Sequence, residues 1–504
     1  MTRPTPPIEF PVPFDQVTAR FDGKAVDVPD GFVKDLAGVC PVMATDAESL
    51  AESGRDWWPL ALHWALEGQV PALPCCTARP RSTAEVSALL SACNQEGVPV
   101  TPVAGRSGVC GSSVPLYGGV ALDMCGMEGL VGVDEVSLTG TALPGTFGPD
   151  LEIALREHGC TLGHWPQSVA ISTVGGWLAC RGAGQYSTRY GKIEDMTLGL
   201  EVVLADGRVL RTGGRSPRSA TGPGLTDFFI GSEGTLGVIT EATFQLHPVP
   251  PTERRVAFGF SSFPAGLDAC RRILRRGGRP AVLRLYDEIE TQRNFSLEGT
   301  NALVVLDEGD PIVIDSAMKI VEDECAGSGA TLLDLSLVEH WLGHRNDTSA
   351  LQALTRIGIV VDTIEIAAPW GALPGIYDSA IGGMRAVPGN LNASVHQSHS
   401  YTSGACLYFT FAGNPPEGTE DPAAWRANFY EASWQAVMDA VITGGGTISH
   451  HHGIGVNRAR FMRPALGDAT MSLLADIKHC LDPHGILNPG KLGLPSPFGE
   501  VPWP

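Results

Sequence analysis

The stretch GHWPQSVAISTVGGWLACRGAGQYSTRYGKIEDM, residues 163–196, decides how this chain folds. Glycine, serine and threonine fill positions that carry neither a helical nor a strand pattern, so most of the stretch is predicted to be loop. Small residues let a backbone approach a ligand closely, and hydroxyl groups can bond its polar edge. The stretch therefore predicts the lining of an elongated polar ligand.

Two further glycine-rich segments flank this stretch along the chain. PVAGRSGVCG, residues 102–111, follows a predicted strand, so its amide N–H groups could converge on a pyrophosphate. GSEGTLGVIT, residues 231–240, precedes another strand. Neither is a GxGxxG or Walker loop, and either alone could be an ordinary structural turn. Three such segments in order form a far more specific pattern than any one of them.

Length and composition limit the class of protein. A chain of 504 residues predicts two or three domains, or one large domain with a cap. A net charge of −20 argues against nucleic acid or an anionic membrane as partner. The twelve cysteines contain no CxxC pair, which favours reduced thiols and a cytoplasmic location. No apolar run is long enough to span a bilayer.

Local patterns predict an α+β protein throughout. STAEVSALLSACNQEG has the apolar spacing of a helix, with Ser82 or Thr83 as its N-cap. GLEVVLADGRVLRTGG reads as a hairpin in which Asp206-Gly207 favours a tight primed turn. From residue 251 onward, strand patterns such as ALVVLDEG, GIVVDTIEIAAPW and ACLYFTFAG alternate with helical ones and predict a second α+β domain.

The histidine triplet in TISHHHGIGVN, residues 447–457, allows three interpretations. The imidazoles could be metal ligands, proton-transfer groups, or part of a solvated loop without a role. Zinc takes about four ligands, and neighbouring residues of a strand face opposite sides. Three consecutive histidines are therefore not expected to point at one ion.

The specific motifs resemble those of a known flavoprotein superfamily. They are STVGGW (172–177), RYGKIED (189–195), EGTLGVIT (233–240), DTIEIAAPW (362–370), SHSYTSGACLYFTF (398–411) and SHHHGIG (449–455). Together they resemble the vanillyl-alcohol oxidase and p-cresol methylhydroxylase superfamily of FAD-linked oxidases, over residues 70–495. Within it, the sequence looks most like the alkyldihydroxyacetonephosphate synthases.

This resemblance implies an architecture. The fold class would be α+β, with a two-subdomain FAD-binding domain of the vanillyl-alcohol oxidase type, an α+β cap domain, and a C-terminal segment returning to the FAD domain. The expected division is an N-terminal segment (1–70), the FAD-binding domain (71–250), the substrate-binding cap (251–440) and a C-terminal segment that completes the active site (441–504).

The resemblance also implies non-covalent FAD. The loop GRSG, residues 105–108, has no histidine or cysteine at the usual attachment site, and Cys110 is the nearest residue that could change this. Carried over position by position, the residues implied to bind the cofactor are Pro102, Val103, Ala104, Gly105, Arg106, Ser107, Gly108, Gln167, Ser168, Ser172, Thr173, Cys180, Arg181, Gly182, Ala183, Glu233, Gly234, Thr235, Leu236, Gly237, Val238 and Ile239.

The same comparison assigns expected roles to the histidines. In zinc-dependent 2-hydroxy-acid dehydrogenases of the wider superfamily, a motif like GDGNLH supplies a histidine ligand and a motif like AEHGIG supplies a glutamate. In this chain Tyr408 stands in the place of that histidine and His451 in the place of that glutamate. The metal-ligand set is therefore incomplete, and no metal is expected. Synthase-like members share the tyrosine and the triplet, which implies catalytic roles for Tyr408, His450, His451 and His452. Tyr408 as a general base would need a pKa lowered by nearby cations. The alternatives are that Tyr408 is only an aromatic residue of the core and that the histidines are only part of a polar loop.

We therefore expect an FAD-dependent oxidoreductase that acts on a carbon bearing oxygen in a small or medium-sized hydroxylated substrate. The hydride would pass to flavin N5, with Tyr408 as base. Arg356, Thr363 and Arg458 are the candidate substrate-binding residues, the arginines for a carboxylate or phosphate. The expected partners are a small-molecule substrate, an electron acceptor (oxygen or another carrier) and a second subunit in a homodimer.

Two other functions stay open at this stage. One is the synthase reaction, a non-redox exchange of acyl for alkyl groups through a flavin adduct. The synthases have an arginine about a dozen residues before the position of Thr363, and this chain has no arginine in register there. They also have a lysine after the HHHGxG motif, where this chain has Val456. Both differences argue against the synthase reaction. The other is a flavin-binding protein without turnover, acting as a subunit of a larger complex.

Overall fold

The computed structural model describes residues 6, 8–21, 23–214, 216, 218–501 and 503, apart from the side chains of residues 350 and 351. The strands are β1 (Thr18–Ala19), β2 (Met43–Ala44), β3 (Gln69–Val70), β4 (Cys76–Ala78), β5 (Val100–Val103), β6 (Val120–Asp123), β7 (Leu130–Asp134), β8 (Thr139–Ala142), β9 (Cys160–Thr161), β10 (Thr197–Val203), β11 (Val209–Gly213), β12 (Val238–Gln245), β13 (His247–Pro248), β14 (Thr252–Phe260), β15 (Val282–Tyr286), β16 (Asn301–Gly309), β17 (Thr331–Leu333), β18 (Val360–Pro369), β19 (Asn390–Ser400) and β20 (Gly404–Gly413).

Helices connect these strands. They are α1 (Phe32–Leu36), α2 (Ala47–Ser53), α3 (Pro59–Ala65), α4 (Thr83–Glu96), α5 (Gly148–Glu157), α6 (Val174–Cys180), α7 (Ser187–Tyr190), α8 (Ile193–Met196), α9 (Thr226–Phe229), α10 (Phe263–Arg275), α11 (Glu288–Phe295), α12 (Pro311–Gly327), α13 (Ser336–His344), α14 (Ser349–Arg356), α15 (Leu373–Ala386), α16 (Pro422–Thr443), α17 (Ala459–Leu466) and α18 (Asp468–Leu481).

Three sheets form the framework of the molecule. A four-stranded sheet has the order β2-β4-β6-β5, and a five-stranded sheet has the order β11-β10-β12-β8-β7. A seven-stranded sheet, β17-β14-β16-β15-β19-β20-β18, follows in the chain. Apart from β2, which belongs to the predicted N-terminal segment, the strands of the first two sheets lie in the part predicted to bind FAD. The third sheet lies in the part predicted to be the cap.

Helix α4 shows how local sequence sets the first sheet. Its N-cap is Ser82, whose hydroxyl accepts the Glu85 N–H, and it ends at Gly97 in the left-handed region. Its buried face packs against β4, β5 and β6, which pair in parallel. Thr83, the alternative cap, is the first residue of the helix.

The hairpin between β10 and β11 differs from the predicted primed turn. Leu204 N–H donates to the Arg208 carbonyl, and Gly207 N–H donates to the Leu204 carbonyl. The connection is therefore a three-residue loop that ends in a left-handed glycine, Gly207. Two contacts favour the longer loop: Asp206 binds Arg208, and the Ser87 hydroxyl donates to the Gly207 carbonyl.

Neighbouring antiparallel strands bring distant polar residues together. β20 lies between β18 and β19, and Tyr408 on β20 is paired in register with Glu365 on one side and His396 on the other. Directly opposed residues of paired strands point to the same face of a sheet. A short row of ionisable side chains therefore crosses the sheet at this level.

The C-terminal segment returns to the first sheet. Leu487 forms a bridge with Val100, and the Asn488 side chain donates to the carbonyls of Ser112 and Glu233. These contacts bring the chain after α16 back across the glycine-rich loops. Among the described residues, no helix is both long and apolar enough to cross a bilayer. All twelve cysteines are free thiols.

Candidate active site

A cavity of about 320 Å³ lies between the glycine-rich segments and the seven-stranded sheet. This volume is within the range of small-molecule sites. One wall carries the loops that the sequence predicts to bind FAD, and the other carries side chains from β15, β18, β19 and β20. The cavity therefore joins the predicted cofactor and substrate sites.

Most residues predicted to bind the cofactor line this cavity. The exceptions are Arg181, Thr235 and Leu236. Arg181 ends α6 in the left-handed region and pairs with Glu194. Leu236 packs in the core, and the Thr235 hydroxyl donates to the Ser232 carbonyl. The residues that do line it are Pro102, Val103, Ala104, Gly105, Arg106, Ser107, Gly108, Gln167, Ser168, Ser172, Thr173, Cys180, Gly182, Ala183, Glu233, Gly234, Gly237, Val238 and Ile239.

The loop wall has the features that a dinucleotide requires. A Cβ at Gly105 would overlap the Ile171 carbonyl oxygen, so two stretches of lining backbone approach each other at a position that only glycine allows. Arg106 is buried and lines the cavity, and its Nε–H has no partner among the described residues. Such an unpartnered cationic donor suits a pyrophosphate. The residues present fit FAD.

Residues 450–452 form a bend rather than a strand, so the three histidine rings do not alternate between two faces. His452 Nε2 lies 3.4 Å from the Tyr408 hydroxyl. His451 Nδ1 lies 2.9 Å from His450 Nδ1, and His450 Nε2 lies 2.9 Å from the Tyr401 hydroxyl. His451 and His452 line the cavity, whereas His450, also predicted to be catalytic, lies behind His451.

The histidines of the triplet are neutral at neutral pH. Burial lowers the pKa of His450 and of His452 to about 4, and it lowers the pKa of His451 well below the ordinary value. A buried neutral imidazole can accept a proton, but it supplies no positive charge to a neighbour.

Tyr408 lacks the lowered pKa that the sequence argument required, and that expectation is wrong for this structure. Burial raises the pKa of its phenol, the charges of Glu365 and Asp362 raise it further, and the Thr363 hydrogen bond and the Arg284 charge offset this only in part. The Thr363 hydroxyl donates to the Tyr408 oxygen at 3.1 Å, and Thr363 also lines the cavity. Tyr408 is therefore a protonated phenol bonded to Thr363, with His452 as its nearest proton acceptor.

Two of the three predicted substrate-binding residues lie outside the cavity. Arg458 is fully buried behind the histidines, where its Nη1 pairs with Glu365 at 2.8 Å and its guanidinium lies over the Trp434 ring. Arg356 is exposed on α14. Only Thr363 of the three lines the cavity, so neither predicted arginine is part of its wall.

Arg284 on β15 is a cationic residue of this site that the sequence reasoning missed. It lines the cavity, and its Nη2 donates to His396 Nε2 at 2.6 Å. His396 Nδ1–H in turn donates to Glu290 at 2.7 Å. The His396 ring stacks on Tyr408, with ring centres 4.8 Å apart. The buried Arg284 Nε–H has no partner among the described residues.

One set of three histidines has the spacing of a metal site. Ligand atoms of His399, His450 and His451 lie within 4.8 Å of one another. His399 Nδ1 contacts the Ser187 hydroxyl at 2.7 Å, which leaves its Nε2 available. Two members of the triplet can thus face one point, and the third donor comes from β19. The donors are three neutral imidazoles without a carboxylate.

Comparisons with known proteins agree with this cavity. Residues 74–213 match the model of an FAD binding domain, and residues 249–492 match that of the C-terminal domain of FAD linked oxidases. The FAD-linked oxidoreductase YgcU of Escherichia coli (strain K12) is 32% identical over 441 residues, covering 83% of this chain and 89% of the relative. The chain belongs to the FAD-linked oxidases.

Other relatives of this FAD-linked oxidase carry different activities in their names. Alkyldihydroxyacetonephosphate synthase of Dictyostelium discoideum is 30% identical, over 84% of this chain and 74% of the relative. The glycolate oxidase subunit of Bacillus subtilis (strain 168) is 28% identical, over 84% and 90%. At about 30% identity, the family is common to both relatives but the substrate is not.

Solved structures confirm the fold class. An alkyldihydroxyacetonephosphate synthase superposes with a TM-score of 0.78 at 24% identity, covering 97% of this chain and 88% of that one. A p-cresol methylhydroxylase with bound substrate gives 0.72 at 17% identity, covering 93% and 98%. The chain therefore has the predicted fold of FAD domain, cap and returning C-terminal segment.

Proposed function

We propose that this FAD-linked oxidase oxidises the hydroxyl-bearing carbon of a 2-hydroxy acid or a closely similar hydroxylated anion. The observation that carries the proposal is Arg284. It is a cation at the cavity wall whose Nε–H has no partner in the described part of the chain, and it is joined to Tyr408 through the His396 ring. A carboxylate bound to Arg284 would hold the adjacent carbon beside Tyr408.

The proton of the substrate hydroxyl would leave through Tyr408. Because the phenol is protonated, it can accept that proton only while passing its own to His452 Nε2, 3.4 Å away. His452 is neutral and can accept it. Thr363 would fix the phenol oxygen, and His451 would orient the substrate oxygen from the other side. FAD, when bound, supplies the two-electron acceptor for such a reaction.

Non-covalent attachment of FAD is part of the proposal. Cys110, the residue that could have formed a bond to the flavin, is 1% exposed and does not line the cavity. Its carbonyl accepts the N–H groups of Val456 and Asn457, so its backbone is bonded to residues that follow the histidine triplet. Acid precipitation should leave a yellow supernatant and a colourless pellet.

The test is anaerobic mixing of the FAD-loaded protein with a panel of 2-hydroxy acids, beginning with glycolate and lactate. Flavin absorbance should bleach with at least one of them. The matched controls are acetate and propionate, which keep the carboxylate and lack the hydroxyl, and these should not bleach it. Bleaching by uncharged alcohols alone would contradict the assigned role of Arg284.

A synthase-like exchange is the second candidate, because the Tyr408 and His452 pair and the 30% identity to a synthase fit it as well. In that case an acylated ketone phosphate would change the flavin spectrum without net electron transfer. Bleaching by a 2-hydroxy acid supports oxidation, and a spectral shift without reduction supports exchange.

A further inference from the structure

Two buried carboxylates hold the segment that carries the histidines. We call residues 449–455 the histidine loop. Glu365 comes from β18 in the seven-stranded sheet, and Glu233 comes from the glycine-rich segment before β12. Both are less than 5% exposed. The histidine loop passes between them, so each of the two large parts of the molecule contributes one carboxylate.

Glu365 binds the first half of the histidine loop through the backbone. Its Oε2 accepts the His450 N–H at 2.8 Å, and its Oε1 accepts the N–H groups of His451 and His452 at 3.3 and 2.6 Å. Oε1 also accepts from the Ser449 hydroxyl and from Arg458 Nη1. Three successive N–H groups that converge on one carboxylate fix the backbone from which the three rings project.

Glu233 binds the second half of the histidine loop. Its Oε1 accepts the Ile454 N–H at 2.5 Å, and both oxygens accept the Gly455 N–H, at 3.1 and 2.9 Å. Glu233 itself has a φ of +51°, a left-handed conformation that costs a non-glycine residue energy. Its place beside the cofactor loops suggested a ligand for FAD, yet its carboxylate is engaged by the histidine loop.

This arrangement explains why Gly-Ile-Gly follows the histidines. A Cβ at Gly453 would overlap Glu233 Oε1, and a Cβ at Gly455 would overlap the Cys110 carbonyl oxygen. Both glycines have positive φ. Without side chains, the backbone can lie against Glu233 and Cys110 closely enough for its N–H groups to reach the carboxylate.

We propose that Glu233 and Glu365 act together as positioning residues that hold the histidine loop from its two sides, and that Glu365 thereby sets His452 against Tyr408. Neither carboxylate is assigned a step in the chemistry. The kinetic consequence rests on the proposed function, whereas the positioning itself does not, so the two can fail separately.

Hydrogen exchange of the FAD-loaded protein, followed by mass spectrometry, tests the positioning without any substrate. A glutamine at position 365 would place an NH₂ group against either the His450 N–H or the donors that share Oε1. We expect Glu365→Gln to raise amide exchange at residues 450–452 at least about tenfold. Glu233→Gln should do the same at residues 454–455.

The matched control is Asp362→Asn on the same strand. Asp362 is equally buried but binds Tyr430 and Trp434 on the far side of β18. It should leave exchange in the histidine loop unchanged. Equal exchange in wild type, Glu365→Gln and Glu233→Gln would overturn the proposal, and so would an equal rise in Asp362→Asn. If Glu365→Gln does not fold, Glu365→Asp decides, because it keeps the charge for Arg458 and loses the reach to the loop.

The kinetic consequence is measured with the 2-hydroxy acid that bleaches the flavin fastest. Glu365→Gln should lower the limiting rate of flavin reduction at least about tenfold and leave the substrate Kd within about threefold, because Arg284 is untouched. If amide exchange rises but the rate of flavin reduction does not change, the positioning by Glu365 is supported and its effect on catalysis through His452 is contradicted. A Tyr408→Phe variant that reduces flavin normally would sink the proposed function instead.

Discussion

At the scale of single residues, Tyr408 has a proton acceptor in His452, whose Nε2 lies 3.4 Å from its hydroxyl. Tyr408→Phe removes the hydroxyl and keeps the ring that stacks on His396. We expect the limiting rate of flavin reduction to fall at least about tenfold, in line with the loss of a group that transfers the proton, while FAD stays bound. Stopped-flow absorbance measures the rate. Tyr377→Phe, a half-buried tyrosine packed on Phe263 outside the cavity, is the control, and an equal loss in both variants would contradict the role of Tyr408.

Arg284 carries the prediction about affinity. A hydrogen bond to a charged group contributes about 1.5–3 kcal/mol, so Arg284→Met should weaken binding of the 2-hydroxy acid by about tenfold or more. Arg356→Ala should leave Kd within about threefold, because Arg356 does not line the cavity. Titration of the flavin difference spectrum gives both values. A large loss of affinity in Arg356→Ala with no loss in Arg284→Met would contradict the assignment of Arg284 to substrate binding.

The three clustered histidines carry a prediction about metals. Burial is the main cause of the lowered pKa values of His399, His451 and His450, and the charges of Arg284, Arg458 and Lys192 respectively lower them further. The same cations would repel a bound metal ion. We expect dialysis against EDTA to leave the flavin reduction rate unchanged. Loss of activity that zinc or manganese restores would show that the cluster holds a metal.

At the scale of elements, the histidine loop depends on its glycines. Gly97→Ala, at the end of α4, meets open space and should lower the free energy of unfolding by about 1 kcal/mol through its positive φ. Gly455→Ala adds overlap with Cys110 and should cost roughly 1–3 kcal/mol more. Urea unfolding of the FAD-loaded proteins compares them. Equal losses would mean that the loop does not lie against Cys110.

The sequence was sufficient for the elements that follow repeating patterns. The helical spacing of STAEVSALLSACNQEG and the strand pattern of ALVVLDEG predict α4 and β16, and the glycine-rich motifs predict the loops of the cavity wall. Thr363 and Glu365 lie two apart on β18, so alternation along DTIEIAAPW could also have placed Glu365 on the face of Thr363.

Other parts of the site could not be predicted from the sequence. The pairing of β19 with β20 shifts register between Gln397 and Ser400. Such an irregularity re-aims side chains, and both His396 and His399 line the cavity although they are three residues apart. Arg284 comes from a strand with no motif of its own. No local pattern shows that Arg458 faces Glu365 in the core rather than the substrate.

At the scale of the whole molecule, buried histidines set the response to acid. Burial holds their folded pKa values below 6.5, so the unfolded chain binds more protons as pH falls through that range. Their contribution to stability is present above about pH 6.5 and is lost toward pH 4. The residues concerned are His63, His164, His396, His399, His450, His451 and His452.

Three buried acids have the opposite effect on how stability changes with pH. Burial raises the pKa values of Asp56, Asp287 and Asp362 to about 7, so their contribution is present at low pH and is lost as pH rises through 7. Because the histidines with lowered pKa values outnumber the three acids raised to about 7, the melting temperature should rise between pH 4.5 and 6.5 and level off above 7. Thermal unfolding followed by circular dichroism measures it. A melting temperature that falls across the lower range would contradict the burial of these rings.

The central claim is that this FAD-linked oxidase removes hydrogen from the hydroxyl-bearing carbon of an anionic substrate. The most direct measurement compares the anaerobic rate of flavin reduction by the best 2-hydroxy acid with the rate for the same acid deuterated at that carbon. We predict full bleaching with both and a slower rate with deuterium, because the carbon–hydrogen bond breaks as the flavin is reduced. A flavin spectrum that these acids leave oxidised would contradict the account, and so would equal rates where bond cleavage is known to limit reduction.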